Sequence, residues 1–353
     1  MSHGARHQPS LADRPGRGFF VGGHYIDDGN GEHVMVGQMH VRHVGAVGAP
    51  KRPVVCLPGG AQTGAHWEQT PDGRPGFADL LAADGRPVYT VDLPGVGRSR
   101  YHHALHGPLS HYTAEVAERI FSATAVHGGW PGAELHTQWP GTGRMGDPAF
   151  DAFYATQVGY YTVFDVIEPA VRAAMSALLD LTGPCHLLTH SQAGPFGWHV
   201  PDERPGMVGS IVALEPKGPP YFDMGADTSA PPPRPFGLTT TPLTYDPPLD
   251  PSADGLPFAD DTASEFGVQQ VEPPRRLLHL ADVPVLVVTA EASYHTTYDH
   301  RTVQFLRTAG VPVEQAILAE HGIRGNGHLM ALESNNDQIA ALVAAWFDAR
   351  DVS

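Results

Sequence analysis

The chain has 353 residues, 41% of them apolar and 17% charged, with 40 glycines and 34 prolines. That mix excludes a disordered or low-complexity chain and fits a loop-rich globular fold with a sizeable core. The formal charge of −16 excludes the basic face that binding to nucleic acid requires.

Residues 1–17 read as a polar tail. Their sequence, MSHGARHQPSLADRPGR, lacks the apolar centre of a secretory leader. No run of about 18 apolar residues follows anywhere, so no membrane contact is expected. Cys56 and Cys185 are too few for a disulfide framework or a zinc site, and buried free thiols in a cytoplasmic protein are expected. The 22 basic residues include only two lysines, Lys51 and Lys217, which reads as a bias of genome composition.

From Gly18, GFFVGGHYIDDGNGEHVMVGQMHVRHV alternates in short segments separated by Gly, Asp and Asn. This predicts two antiparallel strands at a sheet edge. RPVVCLPGG is a continuous apolar run ending in glycines, the pattern of a buried parallel strand. RPVYTVDLPGVGRS, GPCHLLTHSQAG, GSIVALEP and VPVLVVTAEAS repeat it, with helical patterns at 165–181 and 337–350. The alternation predicts an α/β fold, a mostly parallel sheet with helices on both faces. Residues 101–164 and 217–275 break the rhythm and read as cap excursions over the carboxyl ends of the strands of a single domain, 18–353.

In Leu187-Leu188-Thr189-His190-Ser191-Gln192-Ala193-Gly194 a strand runs straight into a serine followed by small residues. A serine hydroxyl needs a tight turn and a neighbouring base to become a nucleophile. The usual G-x-S-x-G flanks are here Thr189 and Ala193, and Thr189 is the true departure. Upstream, the loop 57–64 offers backbone amides around Gly60 and Ala61, and Gln192 follows the serine. Gly60 and Gln192 are therefore the candidate oxyanion donors. A phosphate-binding G-x-x-x-x-G-K-[ST] is absent. His328, in Gly325-Asn326-Gly327-His328 ahead of the final helix, is the candidate base, with His321 its rival. Glu215, Glu291 and Asp299 all lie at strand ends between serine and histidine, and spacing alone leaves the three open.

These stretches resemble the α/β-hydrolase superfamily, and more narrowly a branch of bacterial carboxylesterases. The likeness spans roughly residues 18–350 and rests on 58–77, VDLPGVGRS, THSQAG, VALEP and GNGHLMALESNN. In that branch the triad acid is a glutamate after the strand that follows the nucleophile, as Glu215 is placed here. The resemblance implies Ser191 as nucleophile, His328 as base and then acid, and Glu215 as the orienting carboxylate. It implies backbone N–H groups of Gly60 and Gln192 as the oxyanion hole. Where the branch carries adjacent cysteines this chain has Gly60-Ala61, so that disulfide is missing.

His66, Trp67 and Phe153 are candidate substrate-binding residues, and the dense aromatics of 130–164 either line a pocket or pack the cap. His102, His103, His106 and His111 read as a solvated or pocket-lining loop rather than metal ligands, because Pro108 interrupts any helix there. His295 and His300 flank Tyr298 and Asp299 in a loop that could face the site. The expectation is a serine carboxylic ester hydrolase that needs no cofactor or metal and acts on a small-molecule ester. The same residues would also serve a lactonase, an amidase, a carbon–carbon bond hydrolase or a non-catalytic binder. A homodimer is possible.

Overall fold

The apolar runs read from the sequence form strands because each alternate residue meets a different layer of helices. The computed structural model describes residues 16–45, 50–224, 232–260 and 267–351. The tail expected at 1–17 falls almost wholly outside these, as do parts of the second excursion. Its main sheet has eight strands: β1 (Gly18–Asp27), β2 (His33–Val44), β3 (Val54–Leu57), β4 (Val88–Asp92), β5 (Cys185–His190), β6 (Val208–Leu214), β7 (Val285–Thr289) and β8 (Val313–Ile317). Their spatial order is β1-β2-β4-β3-β5-β6-β7-β8. The β1–β2 and β2–β4 pairings are antiparallel and all the others parallel.

Val55 and Leu57 of β3, with Leu187 of β5 and Ile211 of β6, enter one core. It also holds Ile167, Val171, Ala174, Met175 and Leu178 of α2 (Phe164–Thr182). Val54, Cys56, Leu188 and Val212 point the other way, against Phe77 and Leu81 of α1 (Phe77–Ala83) and Ile339, Val343 and Phe347 of α4 (Asn336–Asp351). Burial on both faces explains why these strands read as unbroken apolar runs. Cys56 and Cys185 are buried and free, as expected. β8 was not legible: it is VEQAI, an edge strand with Glu314 exposed.

The strand order reverses between β3 and β5, and ligands of such sheets bind outside the carboxyl ends at that switch point. The glycine loop leaves β3 there and Ser191 leaves β5 beside it. The two excursions fold as short helices and two-residue to three-residue ribbons. The second is anchored through Glu168 of α2, a buried carboxylate. It accepts hydrogen bonds from Thr240 N–H (3.0 Å), Thr241 N–H (2.6 Å) and the Thr241 hydroxyl (2.6 Å). The same carboxylate lies 3.0 Å from His199 Nε2 of α3 (Gly194–Glu203).

Candidate active site

Ser191 sits in the left-handed region, φ 51°, between β5 and the turn that opens α3. A non-glycine residue there costs on the order of 1–2 kcal/mol, so the surrounding structure must impose it. Among the described residues only Ala61, Ser191, Glu215 and Tyr221 share this strain. The Thr189 departure is compensated across the turn. A Cβ on Gly197 of α3 would lie 2.8 Å from Thr189 Cγ2, so the glycine that the elbow lacks on the strand is supplied by the helix. Gly194 does the same for β6, since a Cβ there would lie 2.6 Å from that of Pro216.

Glu215, at the end of β6 with φ 44°, is fully buried. Its Oε1 accepts from Ala290 N–H (2.8 Å), and its Oε2 accepts from the Ser293 hydroxyl (2.7 Å) and lies 2.6 Å from His328 Nδ1. Glu291 is taken by Arg324 (2.6 Å) and Gly325 N–H (2.9 Å), and Asp299 by His295 Nδ1 (2.7 Å) and the Thr289 hydroxyl (2.8 Å). Of the three acids left open by spacing, the one on His328 is thus Glu215. His321 is exposed at the end of a short turn, and among the described residues no hydrogen bond joins it to any of them.

The loop that carries His328 is pinned by a carboxylate that sequence reasoning did not single out. Glu333 accepts from Gly327 N–H (3.0 Å) and the Asn326 amide (2.8 Å), and lies 2.8 Å from His136 Nε2. Arg74 donates to Asn336 Oδ1 (2.7 Å) and to the carbonyls of Ser334 (3.0 Å) and Glu333 (3.1 Å). Asp72 orients that guanidinium at 2.7 Å. The TPDGR and ESNN stretches are therefore two halves of one latch.

Four buried imidazoles form a column through the site, another feature missed in the sequence. His66 stacks on His190 (4.9 Å between centroids), His190 lies against His328 (4.6 Å), and His328 stacks on His295 (4.7 Å). Burial drives His328 well below 6.5, and its neighbours His190, His295 and His66 push the same way. Burial likewise lowers His190 and His295 to about 4. Burial pushes the Glu215 carboxyl upward, and the His295 ring with the Ser293 and Ala290 donors on its oxygens acts the other way, toward the charged form that Nδ1–H needs as acceptor. His328 is thus held as a neutral imidazole, the form that accepts a proton. Glu215, His295 and His328 are the one group among the described residues with ligand atoms close enough (4.8 Å) to share a metal ion. Two of those atoms already face each other across the Glu215–His328 hydrogen bond.

Residues 52–234 match the model of the alpha/beta hydrolase fold. Over 299 residues the chain is 45% identical to a protein named probable secreted lipase phiG, from Fungal sp. (strain ATCC 74256), covering 83% of this chain and 81% of that one. The chain belongs to the α/β-hydrolase fold family. The solved structure of a novel bacterial esterase shares the hydrolase fold, with a TM-score of 0.65 at 24% identity over 95% of both chains. The expectation of a cytoplasmic hydrolase finds no support in a relative described as secreted. No helix among the described residues is long and apolar enough to cross a membrane.

In this hydrolase Ser191 and Gln192 line a cavity of about 270 Å³, walled by Tyr112, Ile120 and Trp130 of the first excursion and Tyr294, His295 and Tyr298 beyond β7. Gln192 N–H belongs to the first turn after the serine, where backbone donors lack helical acceptors. Gly60 packs against the Gln192 side chain, since a Cβ there would lie 3.2 Å from its Oε1. The three candidate substrate-binding residues do not join this wall. Trp67 has no exposed surface and packs on Phe77 in the core. His66 and Phe153 border a separate 60 Å³ cavity, and Phe153 packs with Trp139 and Phe150. Their side chains are the right type, but the core competes for aromatics as strongly as a pocket does. Of the cap aromatics, Trp130 lines the Ser191 cavity, while Trp139 and Phe150 are cap core. His106 is buried, its Nδ1 accepting from His102 N–H at 2.8 Å.

Proposed function

We propose that this α/β hydrolase is a serine carboxylic ester hydrolase, one domain over 18–353 whose two excursions roof the site. The observation that carries the reading is the Glu215–His328 pair, 2.6 Å apart and buried, at the switch point where the strained Ser191 opens onto a cavity. Ser191 Oγ attacks the ester carbonyl carbon while His328 Nε2 takes its proton. Glu215 holds Nδ1–H and balances the imidazolium. Backbone N–H groups of Gly60 and Gln192 stabilise the oxyanion. Collapse breaks the C–O bond and His328 returns the proton to the departing alcohol. Water, activated by the same imidazole, then releases the acid. The name of the fungal relative, a lipase, supports esters as the substrate class and extends it toward longer acyl chains.

Hydrolysis of p-nitrophenyl esters from acetate to laurate, wild type against Ser191→Ala, tests the reading. Activity that vanishes in a folded variant is expected, with a chain-length profile that sizes the cavity. A folded wild type that cleaves none of them contradicts it.

A further inference from the structure

The wall of the Ser191 cavity holds one of the chain's two lysines. Lys217 follows Pro216 at the end of β6, and its backbone N–H donates to the carbonyl of Ser191 at 2.8 Å. Its Nζ lies 2.9 Å from Asp223 Oδ1, and Arg234 Nη1 lies 2.8 Å from the same oxygen. Two cations therefore share one carboxylate. Arg234, 2% exposed, spends its Nη2 on the carbonyls of Pro219 and Phe222. Lys217 has no such backbone partners among the described residues: its ammonium sits 5.6 Å from the centre of the Phe164 ring, and its side chain, 27% exposed, lines both cavities.

Tyr112, Gln192, Lys217 and Asp223 line both the Ser191 cavity and an adjoining one of about 450 Å³, so the cation stands where the two meet. Among the described residues of these walls the one further acid is Asp165, exposed in the first turn of α2, where the helix N-terminus favours it. An apolar ester gains nothing from a partly desolvated ammonium, which costs free energy to hold there. An ester bearing a carboxylate gains a charge-assisted hydrogen bond in a site where water competes poorly. Burial and the Arg234 charge already lower the proton affinity of Lys217, a deficit that a second anion makes good.

We infer that the substrate of this site is an ester carrying a free carboxylate, such as the half-ester of a dicarboxylic acid, and that Lys217 binds that carboxylate. The inference rests on the ester-hydrolase reading. The competing role for the Lys217–Asp223–Arg234 cluster is a strap on the loop after β6.

Monobenzyl adipate and its neutral primary amide, benzyl adipamate, differ only at the far end, and release of benzyl alcohol reads both. The wild type is expected to favour the acid by at least tenfold in kcat/KM, less so as salt is raised. Lys217→Met should lower turnover of the acid at least tenfold more than that of the amide, whereas Lys217→Arg keeps part of the preference and controls for folding. Asp223→Asn, which removes the competing carboxylate, should increase it. Equal rates on acid and amide in the wild type, or equal losses on both in Lys217→Met, overturn the inference and leave the esterase reading standing. If neither ester is cleaved while p-nitrophenyl esters are, the inference is overturned and the esterase reading stands. If p-nitrophenyl esters are not cleaved either, the esterase reading fails, and calorimetry with adipate decides the subsite. Binding lost in Lys217→Met supports it, and no binding to the wild type overturns it.

Discussion

At the carboxyl edge of the sheet, Ser191, Glu215 and His328 are held by backbone with few alternatives: two left-handed residues, a glycine fitted against Thr189, and a loop pinned by Glu333. In the cover above, Tyr112, Ile120, Trp130 and Asp223 come from short helices and loops held by scattered contacts, such as the Trp130 indole N–H on the Ala292 carbonyl at 2.9 Å. The edge is built to fix a few atoms, and the cover to shape a volume. Substitutions in the first should therefore remove turnover for every ester alike, and those in the second should redistribute it among esters.

The sharpest form of that contrast is Ser191→Ala, expected to lower kcat by about 10⁵–10⁶ on every ester tried, with circular dichroism unchanged. Glu215→Gln preserves shape but leaves His328 Nδ1 facing an amide. Its kcat should fall about 10⁴-fold for short and long esters together, with KM little altered. A loss confined to one chain length would break the comparison.

Acid separates the two regions in another way. His190 and His295 are neutral in the fold, with pKa lowered to about 4, whereas an exposed imidazole titrates near 6.5. Below pH 6.5 the unfolded chain binds protons that the folded one refuses, so the stability these groups contribute is present above 6.5 and lost as pH falls toward 4. The melting temperature should drop between pH 7 and pH 5, by less than the imidazoles alone would give, because the raised Glu215 and Asp299 carboxyls hold protons in the folded chain over the same range. The depressed His328 should meanwhile keep kcat/KM from falling until the acid side of pH 6.5. The smallest effect belongs to the cover: Trp130→Ala enlarges the cavity and should raise the laurate-to-acetate ratio of kcat/KM by about tenfold.

The same division governs what the sequence revealed. Strands β3 to β7, the elbow at Ser191 and the place of His328 rest on short stretches whose residue types are dictated locally, whereas Glu215 is singled out by the family resemblance alone, spacing having left three acids open. A buried strand must be apolar, and a sharp turn must be flanked by small groups. Even there, the fit of Thr189 depended on Gly197, which faces it only after α3 folds back. β8 was missed because an edge strand with Glu314 in water does not carry the apolar signature. The imidazole column is not legible because His66, His190, His295 and His328 come from four separate segments: three of them stand out singly in the sequence, but no spacing stacks them. Trp67 and Phe153 show the limit from the other side: composition marks an aromatic as useful but not whether core or cavity claims it. Lys217, set aside as composition, gains its meaning only from the cavity it borders.

The central claim is that Ser191 is an activated nucleophile served by His328 and Glu215. A fluorophosphonate probe followed by peptide mass spectrometry tests it without choosing a substrate. The account predicts one covalent adduct on the peptide containing Ser191, absent in Ser191→Ala and formed far more slowly in Glu215→Gln. Esterase activity in a protein that forms no such adduct, or forms it on a different residue, would contradict it.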